Sequence, residues 1–256
     1  MTRGRWFSLV AALALAAALA LLALPLLALL LQTSPAALAR SLGEPSARDA
    51  LWLSLRTTTI ALAVILAVGT PAAWLLATRR FRGRAVVVTL VELPLVLPPA
   101  VAGIALLATF GRDGLLGGAV DVVFTTPAVV IAVTFVAAPF YVRGAQAAFA
   151  AVDRTLLEAS RTLGAGEART FAAVAVPAAL PGLVAGGALA LGRALGEFGA
   201  TLMFAGSLQG VTQTVPLAVY SRLATDFDEA VALSVVLVAA SAAILAAVKL
   251  VGDARD

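Results

Sequence analysis

The chain has no cysteine and no histidine, and its only lysine is Lys249. Without cysteine there is no disulfide, no thiolate nucleophile and no iron–sulfur ligand. Without histidine there is no imidazole base and no histidine metal site. Lys249 is flanked by Val248 and Leu250. A G-x-x-x-x-G-K-[ST] loop therefore cannot be written, and the chain carries no phosphate-cradling ATPase loop of its own. Charge is scarce as well. Only 12% of the 256 residues are charged and 62% are apolar, whereas a soluble domain is about a quarter charged. So few charges cannot cover so apolar an interior, and lipid is the solvent this composition suits. A soluble enzyme, a nucleic-acid binder and a disordered chain are disfavoured together. The net charge is only +4, with most bases lying between hydrophobic runs. That is a membrane-topology pattern rather than a phosphate-binding patch, so no nucleic-acid partner is expected.

A bilayer core of roughly 30 Å needs about 20 apolar residues in helix. Six windows meet this: Trp6 to Leu31, Leu53 to Thr78, Ala85 to Phe110, Thr126 to Tyr141 with a possible continuation to Ala151, Ala172 to Phe204, and Ala230 to Val251. The runs are long and continuous, which favours helices over the short alternating strands of a barrel. The first window follows Arg3 and Arg5 but is too long for a signal-peptide core, so it reads as a retained helix. With the N-terminus inside, the inner segments hold Arg3, Arg5, Arg79, Arg80, Arg82, Arg84, Arg143, Arg154, Arg161, Arg169, Lys249 and Arg255. The outer segments hold Arg40, Arg48, Arg112 and Arg222, while Arg56 and Arg193 fall within spans. Twelve inner bases against four outer ones predict that both termini are cytoplasmic. The fold expected is an all-α membrane protein of six transmembrane helices.

The inner segment from Tyr141 to Phe171 is too long to be a plain connection. Thr155-Leu156-Leu157-Glu158 has capping-box spacing, and Leu156, Leu157, Ser160 and Leu163 fall on one side of a helix that Gly164 is placed to end. A second short helix from Gly166 into Phe171 follows. On pattern alone this is either an amphipathic helix lying on the lipid surface or a docking element.

Glu158-Ala159-Ser160, then Gly164, then Val174-Ala175-Val176-Pro177 resembles the E-A-A-x-x-x-G motif of permeases of ATP-binding-cassette (ABC) importers. Ser160 stands where that motif has its second alanine. In that family this loop is the coupling helix, which docks in a cleft of the ATPase subunit. Small side chains at Ala159 and Ser160 suit close approach. Leu93-Pro94-Leu95-Val96-Leu97-Pro98-Pro99, with Val101 and Gly103, is similar to the third-span motif of molybdate and sulfate permeases. Leu195-Gly196-Glu197-Phe198-Gly199-Ala200-Thr201 resembles the fifth-span motif of the same oxyanion group, and Arg161 to Gly166 points to the molybdate branch. The likeness covers Leu51 to Arg222; the first span lies outside it.

A doubly charged oxyanion cannot cross hydrocarbon unaided. The resemblance and the residues together single out two stretches as a path. Pro94, Pro98 and Pro99 interrupt span three; each removes a backbone donor and disfavours helix at the residue before it. Such a break is either a kinked packing helix or the lining of a substrate path. Arg193 and Glu197 lie four apart on one helix face, with Thr201 four further on. At about 1.5 Å per residue from Ala172, Arg193 lies about 30 Å in, toward the outer side. Two readings stand for this pair: a local structural salt bridge, or an outer-gate element that favours anions. Gly182-x-x-x-Gly186 and Gly192-x-x-x-Gly196 have the spacing of close helix contacts, with a neighbouring helix or with a second subunit. Glu92, seven residues into span three, reads as snorkelling to the inner interface. Thr212, Gln213, Thr214 and Pro216 mark an ordered outer element, and Asp226, Asp228 and Glu229 a solvated acidic cluster.

The expectation is thus a single transmembrane permease domain over 1–256. Residues 1–50 supply an extra N-terminal span and periplasmic loop, 51–251 the core permease, and 153–170 the coupling segment. The resemblance implies the transmembrane subunit of an ATP-driven oxyanion importer, most simply of molybdate, with tungstate and sulfate as close alternatives. It implies a multi-pass protein of a prokaryotic plasma (inner) membrane, working as a permease homodimer. Its partners are an ABC ATPase subunit dimer, which binds ATP and Mg, and a periplasmic or extracellular oxyanion-binding protein. No cofactor, metal site or catalytic residue is expected in this chain. The alternative is an ion-coupled secondary transporter; no clear internal repeat and no midplane carboxylate argue for it. An intramembrane protease lacks its base or its paired aspartates.

Overall fold

The computed structural model describes residues 2–117 and 119–253, with side chains from 6 to 117 and 119 to 247. Arg255 and the side chains of Arg3, Arg5 and Lys249 lie outside the described residues. The helices are α1 (Thr2–Gln32), α2 (Pro35–Gly43), α3 (Pro45–Thr78), α4 (Arg84–Val96), α5 (Pro99–Phe110), α6 (Thr126–Ala150), α7 (Arg154–Thr162), α8 (Glu167–Thr170), α9 (Val176–Leu195), α10 (Gly199–Ala205), α11 (Val215–Leu223) and α12 (Phe227–Asp253). A π-helical turn, Phe171–Ala175, joins α8 to α9. No strand occurs among the described residues. Pro35, Pro45 and Pro99 each open a helix, where proline's missing N–H is no loss and its fixed φ is already helical.

Among the described residues, five stretches are long and apolar enough to cross a membrane: Trp6–Gln32, Pro45–Thr78, Thr126–Ala150, Glu167–Leu195 and Phe227–Ala247. Helices α4 and α5 meet that test only as a pair, bent by 120° at the break between them. Side-chain contacts show that this pair runs from one end of the bundle to the other. The Arg84 guanidinium donates to the Leu76 carbonyl at 2.9 and 2.7 Å, near the end of α3. There α3 finishes beside the end of α6, with Trp74 and Phe149 ring centroids 5.4 Å apart. At the other end of the pair, Phe110 lies 5.9 Å from Phe204 of α10. Helix α10 closes at Gly206, against Phe124 just ahead of α6. Thr126, at the start of α6, donates to the carbonyl of Val211 at 2.9 Å.

Helix α6 is the middle of the bundle. Ala128, Val129, Ala132, Val133, Val136, Ala137, Tyr141, Ala145 and Phe149 are all buried, and steps of three and four place them along its length on the packed sides. Dispersion and close packing, not water exclusion, hold helices together in lipid, so small residues sit at the contacts. A Cβ at Gly69 would lie 2.8 Å from the Tyr141 ring; one at Gly182 would lie 2.5 Å from Ala148 Cβ; one at Gly144 would lie 3.0 Å from Gly186 Cα. The Gly182 and Gly186 pair therefore serves the α6–α9 contact within this chain. Gly192 meets nothing within 4 Å. Tyr141 and Thr70 hydroxyls bond at 2.6 Å, tying α3 to α6.

By contrast α1 is unburied along its apolar window. A helix whose backbone bonds are all internal needs no protein cover in hydrocarbon. The outer segment is ordered, as its residues suggested: α11 is pinned by the Val215 N–H donating to Ser54 Oγ at 2.8 Å, and by Arg222 bridging Ser46 at 2.9 Å and Glu229 at 2.8 Å. Asp226 Oδ1 accepts from the Glu229 N–H at 3.0 Å and caps α12. Part of the expected acidic cluster is therefore paired rather than merely solvated.

Overpacking a filled contact costs about 1–3 kcal/mol. Gly182→Leu should lower the thermal unfolding midpoint of the detergent-purified permease and its monodisperse yield. Gly192→Leu, on the same helix with open space around it, should leave both near the parent values.

Candidate functional site

Two spans are broken, and their second halves pack on one another. In the first, Pro94 lies inside α4; Leu97 and Pro98 are extended, with ψ of 132° and 135°, and Pro99 opens α5. Consecutive prolines lack two N–H donors, and each pushes its predecessor out of the helical region. In the second, α9 stops at Leu195, so the expected run from Ala172 to Phe204 is not one helix. Gly196 and Phe198 leave helical geometry and α10 begins at Gly199. A Cβ on Gly199 would lie 2.6 Å from Pro99 Cβ, and one on Gly103 would lie 2.5 Å from Met203 Cβ. Only glycine at both positions allows this approach. Irregular backbone at membrane depth survives where protein or water covers it; here the breaks meet at Pro99 and Gly199, and Pro98 and Pro99 stay exposed on the side away from α10.

Glu197 fills the second break. Its side chain is 1% exposed. Oε1 accepts the Ala200 N–H at 2.7 Å, capping α10, and Oε2 lies 2.6 Å from Arg193 Nη2. The buried carboxylate is thus met by a backbone donor and a cation together, as a charge in this setting must be. A quarter of the Arg193 side chain is still exposed. Thr201 is fully buried in α10 and its hydroxyl has no hydrogen-bond partner among the described residues.

The segment after α6 forms two short helices separated by Leu163, Gly164, Ala165 and Gly166. Asp153, not Thr155, caps α7: its carboxylate accepts the Thr155 N–H at 2.9 Å, which holds the carboxyl below its ordinary range. Gly164 is left-handed at φ +84°, and the Ala165 N–H donates back to the Ser160 carbonyl at 3.1 Å. That is the glycine-ended helix stop. The expected apolar stripe divides. Leu157 is buried and Ser160 half-buried, while Leu156 and Leu163 point outward, Leu163 at 88% exposure. Glu158 and Ala159 are exposed. The Ser160 and Thr170 hydroxyls bond at 2.9 Å, and Glu167 pairs with Arg161 at 2.8 Å and Arg79 at 3.4 Å. The two helices are thereby strapped together and to the residue following α3. Beyond them, Phe171 packs on Trp74 and Phe149, with centroids 5.8 and 6.0 Å away.

One pair was not legible in the sequence. Helix α6 continues through Ala150, so Arg143 lies within it and not in an inner loop. It forms an ion pair with Glu92 of α4, which is therefore not simply snorkelling. The two lie far apart along the chain, and no motif links them. Among the described residues no group of three or more acidic side chains is placed to hold a metal ion.

The family described as binding-protein-dependent transport system inner membrane component matches residues 69–254. The molybdenum transport system permease protein ModB of Mycobacterium tuberculosis is 42% identical over 236 residues, covering 90% of this chain and 89% of that protein. ModB of Escherichia coli is 38% identical over 187 residues, covering 71% of this chain and 82% of that protein. Among solved structures, a bacterial alginate ABC transporter, crystallised in complex with an alginate pentasaccharide-bound periplasmic protein, superposes with a TM-score of 0.76 at 17% identity, covering 96% of this chain and 93% of that one.

Removing one member of a buried ion pair costs about 3–5 kcal/mol, because the other charge is left uncompensated. Glu197→Ala should lower the yield and thermal midpoint of the purified protein markedly. Glu197→Gln, which keeps an acceptor for the Ala200 N–H, should lose less. Equal behaviour of the two variants would remove the capping role.

Proposed function

The chain belongs to the family of binding-protein-dependent transport system inner membrane components, and we propose that within it the chain is the membrane-spanning subunit of an ATP-driven ABC importer of molybdate. The observation that carries this reading is the similarity to molybdenum permeases across almost the whole chain. The protein is a multi-pass membrane protein and not itself the ATPase. A separate ATPase subunit dimer binds ATP and Mg and supplies the chemistry, and an external oxyanion-binding protein delivers the substrate. Two permease copies form the path between them, and both termini face the cytoplasm. Residues 1–50 add a span to the core permease.

The segment from Asp153 to Thr170 is the coupling element. Exposed Glu158, Ala159 and Leu163 meet the ATPase, while Ser160, through Thr170, and Arg161, through Glu167, carry its motion back to the bundle. The Trp74, Phe149 and Phe171 rings pass that motion to α3, α6 and α9 together. Rigid-body movement of packed helices then alternates access to the path. The breaks at Pro94, Pro98 and Pro99 and at Glu197 give those movements places to bend. Arg193, partly exposed beside the second break, is the outer-gate cation, and buried Thr201 supports the α10 half-helix behind it. Tetrahedral dianions are separated mainly by the binding protein, since one guanidinium recognises charge more than identity.

Proteoliposomes holding the permease with its ATPase and molybdate-loaded binding protein should take up molybdate only with ATP. Uptake driven by an ion gradient without the ATPase would overturn the reading. Arg193→Met, at normal protein level, should slow uptake about tenfold, equivalent to about 1.4 kcal/mol of barrier. Unchanged uptake would remove the gate role.

A further inference from the structure

The Glu92–Arg143 pair is placed where a purely structural ion pair is poorly explained. Arg143 lies seven residues before the end of α6, and Glu92 eight residues after the start of α4. Both are therefore about 10–12 Å in from the same end of the bundle, at 1.5 Å per residue. The Arg143 side chain is 58% exposed and that of Glu92 30%. Charged groups at such depth belong against a bundle interior or a water-filled cavity, because acyl chains cannot solvate them. Helix α4 has no fully buried residue; Val88 and Val91 are partly buried against the core, and its other side is left uncovered by the chain itself. Glu92 is also five residues ahead of the Leu97–Pro98 break, and Arg143 ten ahead of the Asp153 cap of α7. Arg143 thus stands on the central helix of the bundle, and Glu92 on an element next to a break.

We propose that Arg143 is an anion-transit site on the inner half of the path, and that Glu92 is its displaceable resident counter-ion. The inference rests on the chain being an oxyanion permease. An arriving tetrahedral dianion offers Arg143 two negative charges and a fork of oxygens that a guanidinium can grip. To bind, it must displace Glu92. That competition keeps the binding weak, which transit requires: a site must attract its ion and also release it. Swinging α4 at its break would separate the carboxylate from Arg143 and open the site; its return would expel the anion.

The absence of cysteine in the chain allows a direct test. Thr89 is exposed on α4, one turn from Glu92. In the complete complex with ATPase and binding protein, Thr89→Cys should react with a membrane-impermeant thiosulfonate. Molybdate at ten times its dissociation constant should slow that reaction about tenfold, by mass action. The protection should vanish with Arg143→Gln. With Glu92→Gln it should appear at lower molybdate concentration, a shift that a mere bolt between helices would not produce. An unreactive Thr89→Cys, or protection equal in the Arg143→Gln background, overturns the proposal. If ATP-driven molybdate uptake proceeds with no anion protecting, the transit site falls and the permease reading stands. If sulfate alone both protects and is taken up, the substrate assignment falls and the transit site stands.

Discussion

Pro99 against Gly199 is the contact on which the rest depends. A membrane chain must satisfy its backbone polar groups internally, yet this one interrupts two of its spans. Bringing the interruptions together, with no side chain at Gly199 and none at Gly103, lets α5 pack closely on α10, with Glu197 buried while Pro98 and Pro99 stay exposed on their other side. Glu197 completes the arrangement from within the second break, as cap to α10 and counter-ion to Arg193. A side chain at either glycine would force α5 and α10 apart.

Around that contact the molecule divides into parts that hold and parts that hinge. Helix α6 holds: α3 and α9 pack on it through Gly69, Gly144, Gly182 and Gly186, and the Thr70–Tyr141 bond adds a polar tie. At one end the three rings of Trp74, Phe149 and Phe171 join the same three helices. Helices α7 and α8 enter the bundle at those rings, strapped by Ser160–Thr170 and by Glu167. The irregular stretches, which the proposed mechanism uses as hinges, are Leu97–Pro98 and Gly196–Phe198. On the proposed coupling role, force applied at α7 would reach three spans as one body, while α5 and α10 stand beyond the two breaks.

Much of this was legible because hydrocarbon imposes a strict code. Apolar runs of sufficient length located the spans, and the prolines located the first break. The second break was less visible: Gly192 and Gly196 read as packing glycines inside one long span, whereas Gly196 and Phe198 leave helical geometry and Glu197 caps the restart. The stripe through Leu156, Leu157, Ser160 and Leu163 assumed a helix lying on one surface, whereas α7 buries Leu157 and turns Leu156 and Leu163 outward. Asp153 rather than Thr155 became the cap, because its carboxylate reaches the Thr155 N–H directly. The Glu92–Arg143 pair left no mark in either local sequence, since tertiary packing alone brings α4 to α6. Glycine spacing could not name its partner; the structure assigns Gly182 and Gly186 to α6 and leaves Gly192 uncovered.

The claim that a separate motor drives this bundle through α7 is tested most directly at Leu163, which stands out from the end of that helix at 88% exposure. Leu163→Cys, in a chain otherwise free of cysteine, should crosslink to the ATPase subunit in membranes, with a yield that changes when ATP is trapped by vanadate. Labelling of Leu163→Cys from the outer face of the membrane, or a complex that imports molybdate with this position never in reach of the ATPase, would contradict the account.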